Sequence, residues 1–234
     1  MRRNRVVLPD CPHHVVHRGN NRRRLFSYPR DYRRFLGLLW AAADKTECGV
    51  HVVCLMANHV HLIVTPTCRQ ALSEFVQRFA QRYAQLRNEE RSASGKLFEE
   101  RYWSEPIRTV LHLAAATMYI DNNPVAGGVK SSPELHRWSS YRLHAGVGTP
   151  EKGIGGLCTP TDWYVSLGPT ARARQDEYGR LFRLYATTEL ARAQERFFHR
   201  QEHGASRYTR RLERPDRTSA RERNGLSRYG EIPR

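Results

Sequence analysis

Alternating apolar and polar residues predict three strands in the first third of the chain. His13–Arg18 is a short β-type run followed by a Gly-Asn-Asn turn signal. Residues 50–56 and His59–Thr65 form two further runs, which are separated only by Ala57 and Asn58. A two-residue connection between such runs is typical of a β-hairpin. The pattern therefore predicts one early strand and, later, an antiparallel pair.

Apolar residues at helical spacing predict three helices. The stretches with this spacing are residues 31–46, 71–88 and 110–122. Asp31 lies where an N-cap is expected for the first helix. The third helix is expected to end near Asn123, because Pro124 disfavours helical backbone at the residue before it. Residues 97–109 lack a helical period, and we expect them to be irregular or extended.

The order of these elements is that of the split β-α-β-β-α-β pattern of ferredoxin-like folds. We therefore predict an α+β protein with an antiparallel sheet and helices on one face. The main domain is expected to span residues 1–148, because a stretch rich in glycine and proline follows. Residues 149–234 are expected to form a basic, arginine-rich extension, helical near residues 170–200 and disordered from about residue 201.

The charge of the chain indicates a polyanionic partner. Lysine and arginine number 39 against 23 acidic residues, so the 234-residue chain has a net charge of +16. Residues 1–34 contribute a net charge of +8, and residues 170–234 contribute +7. This excess favours nucleic acid as the partner, although a merely solvated basic surface would give the same count.

Membrane and secreted classes do not fit the composition. No apolar run approaches the ~20 residues that a membrane-spanning helix needs, and the charged start lacks the apolar segment of a signal peptide. The five cysteines are scattered and include no Cys-x-x-Cys pair, which argues against a disulfide scaffold and against a zinc finger. We therefore expect a cytoplasmic protein with no membrane partner.

His59 and His61 are the first candidates for chemistry. Residues two apart in a strand point to the same side, so both imidazoles would project from one face of the predicted hairpin. Two neighbouring imidazoles on a rigid strand can serve as a pair of metal ligands. A pair of solvent-facing histidines on the open side of the sheet is the competing interpretation.

Tyr119 and Asn123 are the second pair of candidates. They lie four residues apart at the end of the third predicted helix and therefore share one face. A tyrosine beside a metal-bound phosphate can act as a nucleophile, and an asparagine oxygen suits Mg²⁺ or Mn²⁺. A core tyrosine and a helix C-cap are the structural alternatives for these two residues.

These residues lie in motifs that resemble those of the REP-associated tyrosine transposases. This family belongs to the HUH endonuclease superfamily and is related to the single-strand transposases of insertion sequences. The two main matches are Leu-Met-Ala-Asn-His-Val-His-Leu at residues 55–62 and Tyr-Ile-Asp-Asn-Asn-Pro-Val-Ala-Gly-Gly-Val at residues 119–129. Further matches lie at residues 14–20, 31–32, 95–102 and 138–141. The motifs occur in the family's order, from about residue 9 to residue 145.

The resemblance implies a fold and a set of roles. It implies a ferredoxin-like sheet with the histidine pair on a central strand, as the pattern predicts. His59, His61 and Asn123 would hold a divalent metal ion, Mg²⁺ or Mn²⁺. Tyr119 would attack a DNA phosphodiester and leave a 5′-phosphotyrosine and a free 3′-hydroxyl. The protein would act as a monomer or as a homodimer.

The resemblance also implies a substrate, because family members act on single-stranded DNA and recognise a REP hairpin. Arginines of the basic N-terminal region suit phosphate contacts, and aromatic residues near position 102 suit base stacking. The residues expected to contact DNA are Arg18, Asn20, Arg22, Arg23, Arg101, Tyr102 and Trp103.

Two other functions are consistent with parts of the sequence. The first is a protein that binds structured or single-stranded DNA without cleaving it. The second is a transposase or nuclease that uses three catalytic carboxylates. The candidate carboxylates are those of Asp121, Glu99 and Glu100. The middle of the chain offers no obvious acidic set at strand ends, so the tyrosine-type enzyme is the favoured hypothesis.

Overall fold

Four strands form an antiparallel sheet in the part of the chain that the computed structural model describes, residues 5–99 and 101–187. In chain order they are β1 (His13–Arg18), β2 (Gly49–Met56), β3 (His59–Thr65) and β4 (Trp103–Pro106). Across the sheet the order is β2-β3-β1-β4. This order confirms the predicted ferredoxin-like α+β fold. β4 falls within the segment that was expected to be irregular or extended.

Helices cover both faces of this sheet. The long helices are α1 (Pro29–Thr46), α2 (Ala71–Glu90), α3 (Val110–Ala126) and α7 (Ala171–Thr187), and the short ones are α4 (Tyr141–Ala145), α5 (Lys152–Leu157) and α6 (Asp162–Ser166). The main core lies between α1, α2 and the face of β3 that carries Val60, Leu62 and Val64. α3 lies against the other face, where His61 projects. None of the helices in the described ranges is long and apolar enough to cross a membrane.

α3 continues past Pro124, so the expectation that it ends near Asn123 is wrong. The proline removes only the hydrogen bond that its own nitrogen would donate, and it lies close to the end of the helix. The carbonyl of Asn123 still accepts a hydrogen bond from the N–H of Gly127 at 2.9 Å. The carbonyl of Pro124 accepts from the N–H groups of Val129 and Lys130 at 2.9 and 3.0 Å. Asn123 is therefore a helical residue rather than the cap that follows the helix.

Residues 149–187 form α5, α6 and α7. Ile154 of α5 is fully buried in the main core, and the N–H of Thr159 donates to the carbonyl of Val50 on β2 at 2.8 Å. The boundary at residue 148 stays a prediction. Residues 188–234, which include the rest of the predicted helix and the predicted disordered tail, lie outside the described residues.

A buried ion pair joins α1 to α2. Arg87 Nη1 lies 3.1 Å from Asp31 Oδ1, and both side chains are almost fully buried. The second oxygen of Asp31 accepts hydrogen bonds from the N–H groups of Ser27 and Tyr28 at 2.8 and 3.0 Å. Asp31 is thus the third residue of α1 and not its N-cap, because the helix already begins at Pro29. Proline suits this first position, since its fixed φ is helical and its missing N–H needs no partner there.

We expect Asp31→Asn to lower the free energy of unfolding by about 3 kcal/mol, because Arg87 would lose its buried carboxylate. Urea denaturation followed by circular dichroism measures the change. Asp44→Asn, an exposed position on the same helix, is the control and should change the free energy by less than about 0.5 kcal/mol. Equal losses in the two variants would show that the ion pair does not stabilise the fold.

Candidate active site

The two histidines of β3 share one face of the sheet. The centroids of the His59 and His61 rings lie 4.8 Å apart. His61 is fully buried and His59 is partly buried, so the interpretation as a solvent-facing pair does not hold for His61. Burial, together with the charges of neighbouring histidines and Arg18, lowers the pKa of His61 well below its ordinary value. His61 is therefore neutral near pH 7.

A third histidine, His14 of β1, contacts this pair. His14 Nε2 lies 3.2 Å from His61 Nδ1, and the ring centroids are 5.4 Å apart. His14 is also fully buried, and its burial, with the nearby His112, lowers its pKa to about 3. Because His61 Nδ1 faces His14, Nε2 is the ring nitrogen of His61 that a metal ion would take.

Asn58 orients the other histidine of the pair. Its side-chain oxygen lies 2.7 Å from His59 Nδ1. An amide oxygen only accepts hydrogen bonds, so Nδ1 of His59 is the donor and carries the proton. The lone pair of His59 then lies on Nε2, as a metal ligand requires.

α3 brings Tyr119 to the histidines. The Tyr119 ring centroid lies 5.9 Å from that of His61 and 6.0 Å from that of His14. The C-terminal end of α3 lies beside β2, because a Cβ added to Gly127, the residue after α3, would lie 3.5 Å from Met56 Cε. Met56 is the strand partner of His59. The structure thus places Tyr119 beside two buried histidines, and it places Gly127, four residues after Asn123, beside the strand partner of His59.

The donor set fits a divalent metal ion. Two imidazoles, each with Nδ1 engaged by a neighbour, present Nε2 as a ligand, and Asn123 offers a hard oxygen. Within residues 5–99 and 101–187, no group of three or more His, Cys, Asp or Glu side chains is arranged to hold a metal. A site on His59 and His61 would therefore draw its third protein ligand from an amide such as that of Asn123.

Four of the predicted DNA-binding residues lie next to the turn between β2 and β3, namely Arg18, Asn20, Arg22 and Arg23. Arg18 is buried and is the strand partner of His59. The loop after it contacts the turn, since the N–H of Gly19 donates to the carbonyl of Asn58 at 2.8 Å. This close folding needs glycine, because a Cβ at position 19 would collide with the Arg23 carbonyl oxygen. Asn20 is partly buried, and the other two arginines are exposed to solvent.

The remaining predicted DNA contacts lie at and before β4. Arg101 is exposed, and Trp103 is partly buried with its ring centroid 5.1 Å from that of His14. Tyr102 is buried, and the guanidinium of Arg5 lies 3.7 Å from the centre of its ring. A DNA base could stack on that face of Tyr102 only if Arg5 moved. Trp103 is therefore the aromatic residue of this segment that lies closest to the candidate site.

Two residues of the site were not among the sequence candidates, His14 and Asn58. The sequence does predict which face of β1 carries His14, because residues two apart in a strand point to the same side and Val16 shares that face. It does not predict which residue of β3 lies beside His14. Asn58 lies in the hairpin turn, where asparagine is common for backbone reasons alone, so the sequence gives no reason to assign it a role at His59.

Comparison with known proteins identifies the family. The sequence profile of the IS200-like transposases matches residues 7–123, which is half of the chain. The structure is similar to that of a REP-associated tyrosine transposase bound to a REP hairpin, with a TM-score of 0.51, 15% identity, and coverage of 69% of this chain and 94% of that chain. A candidate transposase from Deinococcus radiodurans R1 is 16% identical, with a TM-score of 0.37 and coverage of 52% and 97%. No match is found among curated proteins.

These findings differ in what they establish. At 15% identity the hairpin-bound structure shows a shared fold, and the weaker match adds no argument. The family profile spans the whole sheet and reaches Asn123, so it includes every residue of the candidate site described above. The chain therefore belongs to the IS200-like transposase family and is a DNA transposase, an enzyme that cleaves DNA.

Proposed function

We propose that this transposase cleaves and rejoins single-stranded DNA with Tyr119 as its nucleophile. The observation that carries the proposal is the placement of the Tyr119 ring within about 6 Å of two buried histidine rings, His61 and His14. A core tyrosine would be expected among apolar neighbours. Tyr119 instead faces the polar side of the sheet, beside the pair that can hold a metal ion.

The reaction is a phosphoryl transfer to the tyrosine. The phenolic oxygen of Tyr119 forms a bond to phosphorus, and the bond from phosphorus to the 3′-oxygen of the DNA breaks. The phenol gives up its proton to solvent, and the departing 3′-oxygen takes one up. The product is a 5′-phosphotyrosine and a free 3′-hydroxyl, which can reverse the step to join strands. The bond energy is conserved, so the cycle needs no nucleotide cofactor.

His59, His61 and Asn123 would hold the divalent metal ion, Mg²⁺ or Mn²⁺. When bound there, the ion supplies Lewis-acid polarisation of the scissile phosphate. The protein's own contribution is to orient the two imidazoles, through Asn58 at His59 and through His14 at His61. The buried guanidinium of Arg18, on the strand position opposite His59, offsets negative charge at the same place.

We propose hairpin DNA as the substrate. The similar structure is described as bound to a REP hairpin, and this chain covers 94% of it. The exposed arginines of the loop after β1, Arg22 and Arg23, lie next to the turn that precedes His59, where they would contact the phosphates that flank the cleaved bond. Trp103, whose ring centroid lies 5.1 Å from that of His14, would stack on an unpaired base.

The carboxylate mechanism finds no support in the described residues. Both oxygens of Asp121 accept hydrogen bonds from side chains of the protein, and the residue is fully buried. Glu99 is partly buried, and its backbone N–H donates a hydrogen bond to the backbone carbonyl of Arg18. Glu100 lies outside the described residues.

We expect wild-type protein to form a covalent adduct with labelled single strands from the gene's flanking repeats, when Mg²⁺ or Mn²⁺ is present. Tyr119→Phe should lose the adduct entirely, because it lacks the attacking oxygen. EDTA should abolish the adduct in the wild type. Denaturing gels measure the adduct, and native gels measure binding of the same strands.

Tyr28→Phe is the matched control, because Tyr28 is exposed and lies on the loop before α1. It should form the adduct at the wild-type rate. Retention of DNA on native gels without an adduct in any sample would contradict the proposal and would favour the protein that binds DNA without cleaving it.

We expect His14→Ala to weaken Mn²⁺ binding by about 10- to 100-fold, because loss of a hydrogen-bonding partner behind a ligand has effects of this size. Titration calorimetry measures the affinity without any reaction. His51→Ala on β2 is the control, since His51 bonds to Thr159 and Thr65 and should leave the affinity unchanged. Wild-type Mn²⁺ affinity in His14→Ala would show that His14 does not orient a metal ligand.

A further inference from the structure

The carboxylate of Asp121 is the centre of a buried hydrogen-bond network behind the candidate site. Its Oδ2 accepts from the Tyr178 hydroxyl at 2.6 Å and from His144 Nδ1 at 2.8 Å. Its Oδ1 accepts from the Ser140 hydroxyl at 3.1 Å. Asp121, Tyr178 and Ser140 are fully buried, and His144 is nearly so. The carboxylate thus has one partner from α4, one from α7 and one, Ser140, that immediately precedes α4.

This network acts on the helix that carries the proposed nucleophile. Asp121 lies two residues from Tyr119 and two from Asn123, so it projects from α3 at roughly 200° to both. The helix therefore presents Tyr119 and Asn123 to the site and Asp121 to the helices behind it. All three partners of Asp121 lie beyond residue 123, outside the part of the chain that matches the family profile.

The network also connects α3 to the sheet. Ser140 forms two hydrogen bonds with Val53 of β2. Its backbone N–H donates to the Val53 carbonyl at 2.8 Å, and its hydroxyl accepts from the Val53 N–H at 3.2 Å. Apolar packing of α3 is non-directional and tolerates small sliding or rotation of the helix. Hydrogen bonds to a carboxylate have a fixed direction and length, so they set the rotation of α3 relative to β2 and β3.

We propose that Tyr178 and His144 are positioning residues, which act through Asp121 to hold Tyr119 and Asn123 against the histidine pair. In this chain α4 and α7 therefore complete the active site from behind. The inference rests on the proposed role of Tyr119. A nucleophile that is displaced by about 1 Å reacts far more slowly, so loosening of α3 should reduce the rate of reaction more than the affinity for DNA.

The test compares Tyr178→Phe with Tyr164→Phe in the full-length protein. Each variant loses one tyrosine hydroxyl in the same aromatic cluster, but the Tyr164 hydroxyl donates to the backbone carbonyl of His144 and not to Asp121. We expect Tyr178→Phe to slow adduct formation at saturating DNA by at least fivefold, with the Kd for DNA changed by less than twofold. Tyr164→Phe should leave both values within twofold of the wild type.

Hydrogen exchange of residues 113–126 gives a second readout that does not depend on activity. Tyr178→Phe should raise the exchange rate of this segment about tenfold, and Tyr164→Phe should not. Equal changes in the two variants, or wild-type rate and exchange in Tyr178→Phe, would overturn the proposal. If the wild type forms no adduct that requires Tyr119, the proposed function fails, and the exchange comparison alone decides whether Tyr178 holds α3.

Asp121→Asn serves as the second variant if Tyr178→Phe does not fold. Its amide has the shape of the carboxylate, but one of the two positions becomes a nitrogen that only donates, and the loss of the negative charge weakens the remaining hydrogen bonds. It should slow adduct formation at saturating DNA and raise exchange of residues 113–126 in the same direction as Tyr178→Phe. Unchanged values in this variant would overturn the proposal.

Discussion

The antiparallel register between β1 and β3 is the constraint on which the site depends. It sets His14 opposite Ile63 and Val16 opposite His61, so the two histidines are diagonal neighbours on one face. A slip of one residue would turn the histidines of one strand into the apolar core. The register is held from the other face, where Val60, Leu62 and Val64 pack beneath α1 and α2. The chemistry of one face therefore depends on the packing of the other.

The second constraint is the position of α3 on the histidine face. A buried face lined with imidazoles is stable only if its polar atoms form hydrogen bonds. Here the hydrogen-bonding partners come from the neighbouring strand and from the turn between β2 and β3. Asn58 accepts a hydrogen bond from His59, and His14 lies within hydrogen-bond distance of His61. On the opposite side of α3, the carboxylate of Asp121 accepts a hydrogen bond from Tyr178. These contacts are also what a nucleophile needs, because they fix the direction of each group before the substrate binds.

The local features of the fold could be predicted from the sequence, and the long-range ones could not. Alternation predicted β1 and β3 and the shared face of the histidine pair, and the i, i+4 spacing predicted that Tyr119 and Asn123 lie on one face of α3. The preference of the residue before a proline predicts that this helix ends near Asn123. The helix instead continues to Ala126, because the carbonyls of Asn123 and Pro124 still accept hydrogen bonds from later residues. The contact between His14 and His61 depends on strand register, and the bond from Tyr178 to Asp121 joins residues far apart in sequence. Neither kind of contact leaves a periodic signal.

The most direct test of the central claim is to identify the modified residue by tandem mass spectrometry. After reaction with single-stranded hairpin DNA, digestion with nuclease and trypsin should leave a nucleotide on the peptide of residues 109–130. Tyr119 is the one tyrosine in that peptide, so the assignment is unambiguous. The account predicts a phosphodiester-linked nucleotide on Tyr119. A nucleotide on another residue, or cleaved DNA with free 5′-phosphate ends and no modified peptide, would contradict it.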